Sequence, residues 1–295
     1  MGDADTHFRA GRPIVLIHGF LGAPIDWDSF RCALRKESSE AASLCITVDL
    51  LDVARRIQGN SKSPITIGLS EFASTIRADL EADERVRSGF DVVGYSMGGR
   101  IALEMAAQLS EAEPLGGGDS SIFILLSAHP GLDDAKERDV RASSDIRLAD
   151  RLATLGAETD VRVRQELAET FLEEWYGQAL FSTLRNCEEF ISLAKRRCAD
   201  LSTSDSATLW AAIVAGCSPG RCPSRWDAIQ RMAHDCRVVA GDRDARYVAV
   251  ANRAHSIGVP AAFICDAGHA AHIEQPAQFA AYFSQLRVAR VQCLS

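Results

Sequence analysis

The seven residues from Gly94 to Arg100 contain a serine whose surroundings could make it chemically reactive. They read Gly-Tyr-Ser-Met-Gly-Gly-Arg, between an apolar run at residues 90–93 and a run of helical character at 101–106. A G-x-S-x-G turn between a strand and a helix is typical of a nucleophile elbow. There the glycines allow close backbone contacts and the serine hydroxyl projects above the sheet. Ser96 is therefore the first candidate nucleophile or base.

A serine hydroxyl needs partners, because it is both a weak nucleophile and a weak base. A histidine must accept its proton, and a carboxylate must hold that histidine in the right tautomer. Two late loops supply both types, one reading Gly-Asp-Arg-Asp and the other Asp-Ala-Gly-His-Ala-Ala-His. We assign Asp244, the later aspartate of its loop, and His269, which follows a glycine. Asp242 and His272 are the alternatives, which we expect to be solvated loop or helix-start residues.

Backbone N–H groups that stabilise a developing negative charge are identified by position, because they leave little trace in side-chain type. One candidate is the residue after the serine, Met97. The other is Phe20, in the His-Gly-Phe loop after the first apolar run. We predict that the two N–H groups form an oxyanion hole and that the ring of Phe20 also forms pocket wall.

Short apolar runs must position these residues, and helical patterns separate several of them. The alternation predicts a mostly parallel central sheet flanked by helices, with ligands beyond the carboxyl ends of the strands. Together with the elbow and the two late loops, it predicts an α/β-hydrolase fold. The runs lie at residues 13–17, 44–49, 90–93, 121–127, 237–240 and 261–265.

One stretch interrupts the alternation. From about residue 131 to residue 206 the strand signal gives way to charged helical segments. We predict a helical cap over residues 131–206, inserted into a single domain that spans residues 1–295.

The bulk composition restricts the class of protein. The chain has 295 residues, 47% of them hydrophobic, and a formal net charge of −8, which argues against a nucleic-acid partner held by a basic surface. Its nine cysteines form no C-x-x-C pair, and no run approaches the ~18 apolar residues that span a bilayer. We expect a cytoplasmic protein with reduced thiols, no metal, no organic cofactor and no membrane span.

Further segments narrow the class within this fold. Arg100 ends the elbow motif, His-Pro-Gly-Leu occupies residues 129–132, and a Trp-Tyr pair begins at Trp175. With Gly-x-x-Asp at 241–244 and Ala-Gly-His-x-x-His-x-x-x-Pro at 267–276, most of the chain resembles the 2-succinyl-6-hydroxy-2,4-cyclohexadiene-1-carboxylate synthases of menaquinone biosynthesis. The cap segments are the more specific part of this resemblance, because all relatives share the triad.

The resemblance implies a lyase that eliminates pyruvate from 2-succinyl-5-enolpyruvyl-6-hydroxy-3-cyclohexene-1-carboxylate. By resemblance Ser96 is the proton-abstracting base, His269 activates it and Asp244 orients His269. The N–H groups of Phe20 and Met97 stabilise the charge on the succinyl carbonyl.

The same resemblance implies a small polycarboxylate substrate. Arginines in an otherwise acidic protein would bind the substrate's carboxylates through charge-assisted hydrogen bonds. Arg100 and Arg141 match family positions that hold its carboxylates, and Tyr95 and Trp175 match the pocket wall. A third family arginine falls on Arg196, or on Arg197 if the alignment slips by one.

One segment departs from the family, and two other functions use the same fold. Relatives read Asp-x-Pro-Gly-His-Gly after the second strand, whereas this chain reads Asp-Leu-Leu-Asp-Val-Ala from Asp49, so that side of the pocket must be built differently. The alternatives are a serine carboxylesterase or thioesterase that works through an acyl-enzyme, and a ligand-binding receptor without catalysis.

Overall fold

The computed structural model describes residues 11–59, 66–87, 89–111 and 121–292. Its described strands form one six-stranded sheet, in which every pairing is parallel and the order is β2-β1-β3-β4-β5-β6. The predicted central parallel sheet is therefore confirmed. The strands are β1 (Ile14–Ile17), β2 (Cys45–Val48), β3 (Asp91–Tyr95), β4 (Phe123–Leu126), β5 (Cys236–Gly241) and β6 (Ala261–Ile264).

The strand order reverses at β1, because the chain passes from β1 outward to β2 and then crosses to β3 on the other side. Ile14 pairs with Cys45 of β2 and with Asp91 of β3. A reversal of this kind leaves a crevice outside the carboxyl ends of the two central strands, where ligands bind in open α/β sheets. The loop after β1 and the elbow after β3 border that crevice.

Thirteen α-helices accompany these strands in the part of the chain that the structure describes. The helices are α1 (Asp28–Glu37), α2 (Ser39–Ser43), α3 (Leu50–Gln58), α4 (Leu69–Ala82), α5 (Met97–Glu111), α6 (Ala135–Ala157), α7 (Val161–Gly177), α8 (Phe190–Leu201), α9 (Ser204–Gly216), α10 (Trp226–Arg231), α11 (Ala245–Ser256), α12 (Ala271–Glu274) and α13 (Pro276–Gln292). Helix α1 packs against α13, α4 packs against α5, and α5 also contacts β1, β3 and β4.

The central strands are buried along their whole length. All four residues of β1 and all four of β4 are buried, as are all five of β3. Helices on both faces of a parallel sheet exclude water from it, so its strands are continuous apolar runs rather than alternating ones. No helix within the described ranges combines the length and the apolar character that crossing a bilayer requires.

Five helices, α6 to α10, lie between β4 and β5, and we call α6, α7 and α8 the cap helices. Helix α6 packs against α9, and α7 packs against α8. Short 3-10 turns at Ala179–Phe181 and Leu184–Asn186 connect α7 to α8. The cap helices lie inside the predicted cap at 131–206, whereas α9 runs on to Gly216. The boundaries of the cap remain a prediction.

A single residue, Ser96, separates the end of β3 from the start of α5. Its φ of 53° lies in the left-handed region, which costs a non-glycine residue about 1–3 kcal/mol. Hydrogen bonds hold this conformation, since the Ser96 N–H donates to the Leu126 carbonyl at 2.8 Å and the Arg100 N–H donates to the Ser96 carbonyl at 3.3 Å. Gly94 permits the tight turn, because a Cβ there would lie 2.6 Å from the carbonyl carbon of Gly98.

We expect Gly94→Ala to lower the free energy of unfolding by about 1–3 kcal/mol, because the added methyl group meets backbone that cannot move without displacing α5. Gly177→Ala is the matched control, since a Cβ on this last residue of α7 has nothing within 4 Å. Urea denaturation measures both variants. A Gly94→Ala protein as stable as the wild type contradicts the packing argument.

Candidate active site

Three loops at the carboxyl ends of β3, β5 and β6 bring the predicted catalytic side chains together. His269 Nδ1 lies 2.8 Å from Asp244 Oδ2, and His269 Nε2 lies 3.2 Å from Ser96 Oγ. Asp244 and His269 are both buried. The carboxylate fixes the proton on Nδ1, which leaves the Nε2 lone pair free to accept the Ser96 proton. The arrangement is therefore able to relay a proton from Ser96 to His269.

Local structure fixes Asp244 in this position. It is the residue before α11, and its Oδ1 accepts a hydrogen bond from the Tyr247 N–H at 3.2 Å. The second oxygen is thereby directed to His269, whose ring also lies 4.7 Å from the ring of Tyr247, centroid to centroid. The side chain of the alternative aspartate, Asp242, is 41% exposed, and its Oδ1 lies 3.8 Å from Arg243 Nε.

The alternative histidine, His272, is not solvated as we expected. It is fully buried in the first turn of α12, and its ring lies 4.4 Å from the rings of both Trp27 and Tyr95. Neither ring nitrogen has a hydrogen-bond partner among the described residues. Burial lowers the pKa of His272 to about 3, so the ring is a neutral packing group at physiological pH. The expectation failed because α12 packs inward against the loop after β1, which local sequence does not reveal.

The loop after β1 passes close over Ser96. A Cβ on Gly19 would lie 3.0 Å from the ring of Tyr95 and 3.3 Å from the Cβ of Ser96. Phe20 follows directly and lines the same cavity as Ser96 and Met97. The backbone of Phe20 and Met97 therefore lies close to the serine, and the oxyanion hole remains a prediction.

His18 ties this loop to the start of α3. It is fully buried, its Nε2 accepts from the Leu50 N–H at 3.1 Å, and its Nδ1 donates to the Gly19 carbonyl at 2.9 Å. These bonds require a neutral ring with its proton on Nδ1, and burial lowers the pKa of His18 in the same sense. Helix α3 takes the place of the family's glycine turn, with Asp49 capping its first turn.

A cavity of about 760 Å³ opens above Ser96 and His269, between the sheet and the cap helices. Aromatic rings form part of its wall, including Phe20 and Trp175, whose centroids lie 5.0 Å apart. Its charged lining contains twice as many arginines as carboxylates. They are Arg100, Arg141, Arg147, Arg151, Arg197 and Arg246, against Glu137, Asp145 and Glu174.

The structure places Arg100, Arg141, Tyr95 and Trp175 in this lining, and their role in binding a substrate remains a prediction. Arg100 donates to the carbonyl of Cys217, at the end of α9. The Nε of Arg141 lies 2.8 Å from Asp145 Oδ2, one turn along α6.

The predicted position of the third arginine is corrected, because Arg197 lines the cavity and Arg196 does not. The side chain of Arg196 is 39% exposed, whereas that of Arg197 is 9% exposed. Leu193, Arg197 and Leu201 share the buried face of α8. Arg196, one residue before Arg197, points about 100° away from this face around the helix axis.

Sequence reasoning missed the partner of Arg197. Asp26, in the 3-10 turn at Pro24–Trp27, accepts from Arg197 Nη2 at 2.7 Å and from the Ala23 N–H at 3.1 Å. Burial raises the pKa of Asp26, but the adjacent Arg197 outweighs it and holds the pKa below its usual range. The pair joins the cap to the loop after β1, and its members are too far apart in sequence for any local pattern to reveal.

Comparison with known proteins agrees with the fold. The chain belongs to the α/β-hydrolase family, whose profile matches residues 14–282. It is an enzyme of that superfamily.

The predicted resemblance within the superfamily is confirmed. The chain is 29% identical over 288 residues to the 2-succinyl-6-hydroxy-2,4-cyclohexadiene-1-carboxylate synthase of Enterobacter sp. (strain 638), covering 96% of each protein. It is 28% identical over 278 residues to the chloroplastic protein PHYLLO of Arabidopsis thaliana, of whose length it spans 15%. The structure of MenH from S. aureus shares the fold, with a TM-score of 0.71, 20% identity and coverage of 96% and 95% of the two chains.

Replacing Asp244 by asparagine should lower the reactivity of Ser96 by about 10³- to 10⁴-fold, because the amide favours the wrong imidazole tautomer. Asp242→Asn, in the same loop but exposed, should leave reactivity unchanged. The rate at which a fluorophosphonate labels Ser96 measures both. Equal losses in the two variants contradict the assignment of Asp244.

His272 should make the protein acid-sensitive. Its pKa of about 3 in the fold lies below the 6.5 of an unfolded chain, so its stabilisation is complete above pH 6.5 and is lost as the pH falls. Between pH 7 and pH 5 the free energy of unfolding should fall by about 2 kcal/mol more in the wild type than in His272→Phe. Urea titrations at the two pH values test this, and identical pH dependence in both proteins counts against it.

Proposed function

We propose that this protein is a lyase that eliminates pyruvate from 2-succinyl-5-enolpyruvyl-6-hydroxy-3-cyclohexene-1-carboxylate. One observation carries the proposal: the cavity above Ser96 and His269 collects six arginines and three carboxylates, in a chain whose net charge is −8. Such a local excess of guanidinium groups favours a substrate with several carboxylates, each held by charge-assisted hydrogen bonds. A site for neutral esters has no need of it.

The proposed substrate carries three carboxylates, on the ring, on the succinyl chain and on the enolpyruvyl group. We assign their binding to Arg100 from the elbow helix α5, Arg141 from α6 and Arg197 from α8. The cap, proposed to span residues 131–206, thus supplies two of the three arginines together with Trp175. Substrate would lie between the cap and the carboxyl edge of the sheet, with its succinyl carbonyl near Phe20 and Met97.

In the proposed reaction Ser96 Oγ removes the ring proton α to the succinyl carbonyl, and the Ser96 proton passes to His269. The electron pair delocalises onto the carbonyl oxygen, where the N–H groups of Phe20 and Met97 stabilise the enolate. Collapse of the enolate shifts the ring double bond and breaks the C–O bond to enolpyruvate. The imidazolium of His269, held by Asp244, returns a proton to the leaving group, which becomes pyruvate.

The names of the relatives support this choice over ester hydrolysis. The relative from Enterobacter sp. (strain 638) is named as the synthase of the diene product. The same triad also suits a carboxylesterase or thioesterase, in which Ser96 forms an acyl-enzyme. The arginine-rich cavity is the observation that favours the lyase.

Coupling to lactate dehydrogenase tests the proposal, because this reaction reports each pyruvate released. The wild type should release pyruvate steadily from the cyclohexene substrate, and Ser96→Ala should not. A wild type that releases no pyruvate but turns over small esters overturns the lyase assignment. If the wild type and Ser96→Ala release pyruvate at equal rates, Ser96 takes no part in the reaction.

Arg100→Ala should cost about 1.5–3 kcal/mol of transition-state stabilisation, which lowers kcat/KM for elimination roughly 10- to 150-fold, because a charge-assisted contact to a substrate carboxylate is lost. Hydrolysis of a small neutral ester should survive the change. Arg35→Ala is the matched control, since this arginine is exposed on α1 and does not line the cavity. Equal loss of both activities in Arg100→Ala indicates instead that Arg100 supports the elbow.

A further inference from the structure

The carboxylate of Glu274 bonds the backbone on both sides of His269. Its Oε2 accepts from the Gly268 N–H at 2.7 Å, and its Oε1 accepts from the Ala270 N–H at 2.9 Å. Glu274 is the last residue of α12 and is half-buried. The histidine that faces Ser96 is thus the one residue between the two amides that this carboxylate holds.

We propose that Glu274 is a positioning residue, which fixes the His269 backbone so that the imidazole reaches Asp244 and Ser96 together. The inference rests on the proposed function only in so far as His269 works as a base. It applies equally to elimination and to ester hydrolysis. Glu274 itself is not among the residues that line the cavity.

Other hydrogen bonds hold the start of the loop that carries His269, where Gln278 donates to the Cys265 carbonyl and Arg243 donates to Asp266. The loop spans residues 265–270, between β6 and α12, and contains no regular structure. Asp266 has a φ of 55°, and the Arg243 N–H donates to the Ala267 carbonyl at 2.9 Å. A Cβ on Gly268 would collide with the side chain of Thr183, so the loop is pressed closely under the cap. Within this crowded loop, the two bonds from Glu274 set the direction in which His269 leaves the backbone.

Capping of α12 accounts for only one of the two hydrogen bonds that Glu274 accepts. Ala270 is the N-cap residue of α12, so its N–H is one that a helix leaves without an intrahelical partner. Gly268 lies two residues before the cap, outside the helix, and its bond to Glu274 contributes nothing to helix capping. The bond to the Gly268 N–H is therefore the reason to assign Glu274 a role in positioning His269.

The chemistry of the side chain predicts which substitutions fail. A carboxylate accepts on both oxygens, whereas an amide accepts on one and donates from the other. Glu274→Gln therefore loses one of the two bonds and turns an NH₂ group toward a backbone N–H. Glu274→Asp keeps the charge but is one methylene shorter, so it reaches one amide at most.

The test is the rate at which a fluorophosphonate labels Ser96, which requires no knowledge of the natural substrate. Labelling by Glu274→Gln should slow by about 10- to 100-fold, since small displacements of a catalytic group cost this much. Pyruvate release should lose kcat by the same factor with KM unchanged. The downfield proton resonance of the His269–Asp244 hydrogen bond should broaden or shift. Glu173→Gln, on the exposed face of α7, is the control of equal charge change.

Each result decides the proposal. Labelling at the wild-type rate in Glu274→Gln overturns it, and so does a raised KM with unchanged kcat, which would indicate a role in binding. If Glu274→Gln does not fold, Glu274→Asp takes its place, and wild-type labelling in that variant overturns the proposal. If the wild type releases no pyruvate, only the proposed lyase activity is overturned. Slower labelling of the Glu274 variants would still support the positioning role, because labelling does not depend on the natural substrate.

Discussion

The turn at Ser96 is the constraint on which the rest of the site depends. One residue must reverse the chain from β3 into α5, and it does so at a φ of 53°. The conformation is unfavourable for a serine by itself, so surrounding structure has to maintain it. The buried strands β1, β3 and β4 and the close contact between Gly94 and Gly98 provide that support.

Everything else in the site is arranged around the hydroxyl that this turn exposes. His18 holds the loop after β1 beside Ser96 through its bonds to Gly19 and Leu50. The loops after β5 and β6 bring Asp244 and His269 to it. All these loops leave the same edge of one parallel sheet, where ligands bind in open α/β sheets.

The cap contributes charge rather than the reacting groups. Arg141 and Arg197 reach the cavity from α6 and α8, and each pairs with a buried aspartate at 2.7–2.8 Å. These pairings hold the guanidinium groups in place, since an arginine without a partner is costly to bury. The Asp26–Arg197 pair also joins α8 to the loop that carries Phe20, so one contact links two walls of the cavity.

Local sequence was enough to predict the alternation of strands and helices, the elbow and the two late residues, Asp244 and His269, that meet Ser96. Local patterns and chain order carry that information, because each feature depends on neighbouring residues and on the side of the sheet where strands end. The folded structure was needed to show that Arg197 rather than Arg196 faces the cavity, that His272 is buried, and that Glu274 bonds both sides of His269. Those outcomes depend on how a helix is rotated about its axis and on what packs against it, and a step of one residue turns a side chain by about 100°. Contacts between residues as distant as Asp26 and Arg197 leave no local pattern, so the folded chain alone reveals them.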